Sequence, residues 1–350
     1  MTSGKKLISN KELFGTILSV VLGALLLYFA FRGIQFNEFS AALKSSSIVW
    51  ILVFACTTTT AHIIRAYRWK VMLRRVKPDL SLHHAFAALM LGYGINNAIP
   101  RLGEVSRALF LGQYERISRM SILGTIVVER ILDMVFFGLA VLVSGIIYSG
   151  EIYSKIPWLR TTSIIGLVLM LIMVMMMVVF VWKRDSLLPI ITKYVSHISV
   201  RGANKTEALL IKLSDGFLSI RGTRTYIEIL IYSVLIMLNY AFTSLIGFYI
   251  LGIETMIPVT FAMAWVTMSI SSIGVLIPTP GGIGSYHAVV KMVLVTIFGI
   301  NKVLSTAYAV ISHGISYILS IILAIVYFFL FRKRYGSPSE DSIFNEVENG

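Results

Sequence analysis

Charge is scarce in this chain. Lys, Arg, Asp and Glu together make up 14% of its 350 residues, against about 25% in a water-exposed domain, and that shortage excludes a soluble globular protein. Cysteine is nearly absent. Cys56 stands alone, so an internal disulfide framework and a Cys-clustered zinc or iron-sulfur centre are both excluded. Acidic residues are few beside basic ones, 17 against 31, for a formal net charge of +14. In a soluble protein such an excess would suggest nucleic acid. In a chain that is 57% hydrophobic it marks the cytoplasmic loops of a membrane protein, where Lys and Arg accumulate, and no nucleic-acid partner is expected. Nucleotide and hydrolase signatures are missing as well. No Gly-Lys-Ser/Thr follows Gly281, Gly282 and Gly284, as a phosphate loop requires, and no nucleophile elbow is present.

What the chain has in quantity is apolar sequence in blocks of bilayer length. A helix needs about 20 residues to cross roughly 30 Å of hydrocarbon. Stretches poor in charge run over 13–31, 45–64, 80–100, 121–150, 161–182, 229–253, 255–290 and 303–331. Lys5, Lys6 and Lys11 precede the first stretch, which is too long for a signal peptide's apolar region and reads as an uncleaved anchor. The stretch 255–290 is too long for one crossing and is broken by Pro278, Pro280, Gly281 and Gly282, which predicts two helices joined by a sharp turn.

The loops set the orientation. Lys70, Arg74, Arg75 and Lys77, the eight basic residues of 183–224, and Arg332 to Arg334 all belong on the cytoplasmic side. The linkers around 32–44, 149–160 and 251–256 are charge-poor and external. Parity then requires 80–120 and 256–302 each to return to the side they came from. The expected fold is therefore all-α: a polytopic integral membrane protein of six full spans plus two opposed re-entrant helical hairpins that form an inverted repeat, with both termini cytoplasmic in the cell (cytoplasmic) membrane. Residues 1–335 make one transmembrane domain. Within it, 185–222 shows apolar residues at helical spacing and reads as an amphipathic linker on the cytoplasmic surface. The segment 336–350 is an acidic tail expected to be disordered.

The two hairpin turns read alike. Ile99-Pro100-Arg101-Leu102-Gly103-Glu104 marks one and Ile277-Pro278-Thr279-Pro280-Gly281-Gly282 the other. Interrupted helices in matching positions of two halves point to a transporter's binding site, because broken helices present free backbone groups inside the membrane. Charges inside hydrocarbon cost at least about 2.5 kcal/mol each and persist only when they face protein or water. Glu129, Arg130 and Asp133 lie inside the fourth block at helical spacing, where Arg130 can pair with Asp133 three residues on. Two readings fit: a structural ion pair that locks helices, or a head-group site at Arg130 with a proton or cation on Glu129 or Asp133. On the first, neutralising all three together would preserve the fold. Arg101, Glu104 and Arg107 fall on one face of the helix that begins at the first turn, where planar guanidinium forks and a helix start suit a phosphate. Asn97 caps the turn or binds a head group. Arg65 and Arg68, with His62 three residues before Arg65, line one face at the cytoplasmic end of the second span and read as ordinary cytoplasmic-end cations. His287 and His313 are lone histidines in apolar blocks, serving packing or proton coupling.

At these residues the chain resembles the lysylphosphatidylglycerol synthase transmembrane family, also called the flippase-like domain family. The matching pieces are Asn97 to Glu104 with Arg107, Glu129-Arg130-Ile131-Leu132-Asp133, and Pro278-Thr279-Pro280-Gly281-Gly282-Ile283-Gly284, in matching order over nearly the whole chain. The resemblance implies transport, or flipping, of an anionic phospholipid or polyprenyl-phosphate-linked lipid across the membrane. Two positions depart from the family: His287 stands where many members have Glu, and His313 where an Arg often sits. The lysyl-transferring members carry a soluble synthase domain, whereas 16 residues follow Arg334 here, so aminoacyl transfer is not expected. The expectation is a non-enzymatic protein with a membrane lipid as partner, no cofactor and no metal. The alternative is a membrane-embedded transferase, or the non-catalytic partner of a glycosyl or aminoacyl transferase, acting on a lipid.

Overall fold

Local sequence rules place the helix starts. In the computed structural model, Ser81, Ser118 and Thr260 each accept a backbone N–H bond with their side chain at the head of a helix, the standard way to satisfy orphan donors. Pro157 occupies a first-turn position, where its missing N–H costs nothing. The structure describes residues 10–99, 102–148, 151–183, 222–277 and 279–331, with isolated positions between 186 and 211. Most of the amphipathic linker expected over 185–222, the tail 336–350, and Pro100, Arg101 and Pro278 lie outside the described residues.

Twelve α-helices follow in order among the described residues. They are α1 (Asn10–Phe31), α2 (Phe36–Lys44), α3 (Ile48–Leu73), α4 (Leu82–Ala98), α5 (Leu102–Glu115) and α6 (Arg119–Ile147), then α7 (Glu151–Lys155), α8 (Pro157–Trp182), α9 (Thr223–Ile250), α10 (Phe261–Leu276), α11 (Ser285–Thr296) and α12 (Lys302–Phe331). Described residues include no strand. The chain is an all-α polytopic membrane protein. Ile48–Leu73, Pro157–Met176, Thr223–Ile250 and Lys302–Phe331 are each long and apolar enough to cross a membrane. α6 has 29 residues and α1 has 22, which at 1.5 Å each also reaches across the hydrocarbon.

α4, α5, α10 and α11 differ. With 17, 14, 16 and 12 residues they extend only about 18 to 26 Å, short of a full crossing, and they pair as two hairpins, α4 with α5 and α10 with α11. α12 serves as the ruler for how the hairpins enter. Its first turns meet the base of the second hairpin, where Thr306 Oγ1 and Lys291 Nζ both donate to the carbonyl of Ala30. Its last residue, Phe331, packs on His83, His84 and Tyr114 at the base of the first. Midway along it, Tyr317 donates its hydroxyl to the Asn97 carbonyl at one tip, and His313 Nε2 bonds the Gly281 carbonyl at the other, 3.1 and 2.8 Å. The hairpins therefore enter from opposite faces and meet near the middle.

The packing is reciprocal. α4 lies against α12, which follows the second hairpin, and α10 lies against α6, which follows the first. α3 and α9 run antiparallel between the halves, joined at one end by Ser47 N–H to the Ile250 carbonyl, 2.9 Å, and at the other by Arg74 with Glu228. Apolar cores sit toward each face: Trp69, Met72, Leu111 and Ile122 at the basic end, and Phe248, Leu294, Ala307 and Tyr308 at the other. Between them the middle layer is polar. Met175 and Met176 of α8 point outward.

This threading puts Arg75 and Thr255, both exposed, at opposite ends of the bundle. In a Cys56→Ala background, Arg75→Cys and Thr255→Cys are expected to react with a membrane-impermeant maleimide from opposite sides of the membrane. Labelling of both from one side would overturn the threading.

Candidate functional site

The polar middle layer is built around α6. Its position 129 points into the bundle, and Glu129 is fully buried while Asp133, one turn on, is 6% exposed. Two carboxylates in that setting need cations, and α3 supplies them. Arg65 Nη2 lies 2.9 Å from both Glu129 Oε1 and Asp133 Oδ2. Arg68 Nη2 bonds Asp133 Oδ1 and stands 3.6 Å from Glu129 Oε1. The spare N–H groups reach α9, with Arg65 Nη1 donating to Tyr240 (3.0 Å) and Arg68 Nη1 to Ser233 (3.1 Å). The i, i+3 spacing on α3 and the i, i+4 spacing on α6 thus line up one stripe on each helix.

A third arginine comes from the first hairpin. Arg107 of α5 is 2% exposed, and its guanidinium lies 3.4 Å over the Trp69 ring, a cation–π arrangement. Its Nη2 is 2.8 Å from Glu129 Oε2, an ion pair without hydrogen-bond alignment, so the Nε and Nη groups of Arg107 remain without a hydrogen-bond acceptor. Trp69 is fixed by its own Nε1–H bond to Thr125. The fourth arginine, Arg130, lies at the rim: Nη2 is 3.0 Å from Glu104 Oε1, Nη1 is 3.5 Å from Asp133 Oδ2, and about a third of its side chain is exposed. Arg130 stands about 17 Å in from the start of α6, well inside the hydrocarbon. Four guanidiniums therefore face three carboxylates.

Asn96 ties this rim to the turn, accepting from Gly103 N–H (2.7 Å) and donating to Glu104 Oε2 (3.2 Å). Asn97 points elsewhere, donating to Ser320 Oγ (2.8 Å) on α12. The structure thus brings Glu104, Arg107, Glu129, Arg130 and Asp133 together and leaves Asn97 on the far side of the hairpin tip. Local pairing of Arg130 with Asp133 exists at 3.5 Å, yet the shorter bonds to Asp133 come from Arg65 and Arg68. Those two arginines are buried members of the network rather than loop-end cations. The three-residue spacing of Arg65 and Arg68 on an otherwise apolar helix was the available signal. His62, its ring 5.1 Å from that of Tyr93 and tilted against it, borders the same network.

The second hairpin holds the other group. Pro280, Gly281 and Gly282 form a single 3₁₀ turn. Gly284, at φ +87°, follows it, and a Cβ there would lie 2.2 Å from the Gly23 carbonyl of α1. His287 and His313 stand with ring centroids 4.9 Å apart, so the two are partners, not lone residues. They occupy the place in the second half that Arg107 and Glu129 occupy in the first: a hairpin's outgoing helix against the long helix after it.

A family model described as the lysylphosphatidylglycerol synthase TM region matches residues 16–324. The chain belongs to that family. Two relatives are similar to it. A UPF0104 membrane protein of Methanocaldococcus jannaschii is 25% identical over 299 residues, covering 81% of this chain and 85% of the relative. A UPF0104 membrane protein of Methanothermobacter thermautotrophicus is 27% identical over 164 residues, 45% of this chain, and the alignment spans about half, 47%, of that relative. As a lysylphosphatidylglycerol synthase TM region protein, this chain is a multi-pass membrane protein whose charged network and both hairpins fall inside the matched span.

Proposed function

We propose that this protein flips a lipid with a phosphate-bearing anionic head group, an anionic phospholipid or a polyprenyl-phosphate-linked lipid, across the cytoplasmic membrane. The basic ends of α3 and α9 and both termini face the cytoplasm. The observation that carries the reading is the charge imbalance of the network. Among the described residues, four guanidiniums against three carboxylates leave one positive charge uncompensated inside hydrocarbon, and the arginine of the network with an exposed edge is Arg130 at the rim. A phosphate can exchange for Glu104 on Arg130 and complete the balance, because a guanidinium fork binds phosphate through two parallel N–H bonds. The acyl or prenyl tails stay in lipid while the head group passes the hairpin tip. Membership in a family described by lysylphosphatidylglycerol synthase supports a lipid as the substrate. Catalysis by a carboxylate-held Mg²⁺ is less well supported, since Glu104, Glu129 and Asp133 each already face a guanidinium.

The test is translocation of tail-labelled fluorescent phosphatidylglycerol in proteoliposomes, with phosphatidylcholine as the comparison lipid. A charge-assisted hydrogen bond contributes about 1.5 to 3 kcal/mol, so Arg130→Ala is expected to slow phosphatidylglycerol movement by about ten- to a hundred-fold. Arg74→Ala, an exposed change at the basic face, is expected to leave it unchanged. Wild-type rates in a folded Arg130→Ala protein would overturn the reading.

A further inference from the structure

His287 and His313 meet edge to face, and the backbone group that each ring bonds dictates its protonation state. The Gly281 carbonyl only accepts, so the bond of 2.8 Å fixes a hydrogen on His313 Nε2 and leaves Nδ1 of the neutral ring as a lone pair. The Gly284 backbone N–H only donates, so its 3.3 Å bond fixes a lone pair on His287 Nδ1 and puts that ring's hydrogen on Nε2. A proton can therefore be added to His313 at Nδ1 without breaking any bond shown. Adding one to His287 would require Nδ1 to give up the Gly284 N–H, at the positive end of α11, where a second cation is disfavoured.

We propose that this imidazole pair is a single-proton site, loaded at His313 Nδ1, through which proton uptake is coupled to movement of the anionic head group at the second hairpin tip. The coupling rests on the flippase reading above; the proton site does not. The surroundings support both. α4, α10, α11 and α12 contain no carboxylate, Glu38 of α2, the short helix packed on α12, is exposed, and Glu12 of α1 lies about three turns from Gly23, where α1 meets the hairpin turn. Titratable neighbours are Tyr286 and Tyr317, whose rings lie 5.4 and 5.8 Å from His313. Lys291 lies one turn along α11 with its Nζ on the Ala30 and Arg32 carbonyls, and Lys302 starts α12. Among the described residues no carboxylate bonds either imidazole, so an incoming phosphate is the counter-ion of an imidazolium formed here. The proton comes from the aqueous phase, adds to a nitrogen lone pair, and leaves the Nε2–H bond to Gly281 in place. The first half carries fixed charges at the matching position, so the second half is the one that titrates.

The experiment combines two readouts on the full chain. In nanodiscs of phosphatidylglycerol, whose head groups supply the phosphate counter-ion, ¹⁵N-histidine resonances of the wild type are expected to show His313 Nδ1 gaining a proton between about pH 8 and pH 5, with His287 keeping its Nε2–H tautomer. In proteoliposomes, the wild-type phosphatidylglycerol rate is expected to change about tenfold over that range. His313→Gln, whose amide N–H can still donate to Gly281, is expected to change less than about twofold. A His313 ring that does not titrate, or a His313→Gln protein with the wild-type pH profile, would overturn the proposal. A titrating His313 in a protein that moves no lipid at any pH would instead remove the flippase reading and leave the proton site standing.

Discussion

Asp133→Asn is expected to cost the fold about 3 to 5 kcal/mol, the range found when one member of a buried ion pair is removed. Arg68 is completely buried and Arg65 is 5% exposed, and Asp133 bonds both of them. An amide at 133 would leave the two guanidiniums sharing Glu129, which already faces Arg107. Glu104→Gln at the partly exposed rim is expected to cost less, since Arg130 keeps Asp133 at 3.5 Å. The triple change Glu129→Gln, Arg130→Met, Asp133→Asn separates two accounts of the network. If Arg130 were the cation that the carboxylates neutralise, the triple variant would be well folded. With Arg65, Arg68 and Arg107 as their partners, it leaves three buried cations with no buried anion, only Glu104 at the rim, and it is expected to melt far below the wild type. Adding Arg65→Met and Arg68→Met should restore much of the loss, because apolar packing often replaces a buried pair at little cost. Thermal unfolding in detergent, followed by size-exclusion chromatography, reads each case. A wild-type melting point for Asp133→Asn would show that the network does not hold the helices.

Gly103→Ala is the second change expected to be severe. α4 and α5 cross so closely at the first turn that a Cβ on Gly103 would lie 2.1 Å from the Gly92 carbonyl oxygen and 2.4 Å from Asn96 Cγ. The nearest atom is backbone and cannot rotate aside, so the hairpin itself must open. Overpacking of this kind costs about 1 to 3 kcal/mol, and the Asn96 bond to the Gly103 N–H is lost with it. Glu104 is the next residue, so opening the hairpin also draws its carboxylate from Arg130. Gly314→Ala, where nothing lies within 4 Å of the added Cβ, is expected to be neutral. Reduced melting temperature and reduced lipid movement should appear together for Gly103→Ala. An intact melting point would show that the close approach relaxes without cost.

Much of the architecture was legible because it rests on local rules. Pro278 to Gly284 breaks a stretch too long for one helix, the basic loops fix parity, and the two together require hairpins that enter from opposite sides. The network was legible only in part. Glu129, Arg130 and Asp133 are conspicuous as charges inside an apolar block, and i, i+3 spacing pairs Arg130 with Asp133 and leaves Glu129 without a local partner. Their main partners lie more than 60 residues earlier in the chain, and Arg65 and Arg68 sit where basic residues are common at a cytoplasmic helix end. Depth in the bundle, not residue type, separates the two meanings, and depth comes from how α3 packs between α6 and α9. His287 and His313 are 26 positions apart and meet because α11 folds back on α12, which no helical period along one segment can report.

Tyr317 and His313 sit one helical turn apart on α12, and each grips the tip of a different hairpin. A slide or roll of that single helix therefore reaches both tips within the same 6 Å of its length. Whatever displaces one hairpin tip through this helix acts at once on the other, as with two levers on one shaft.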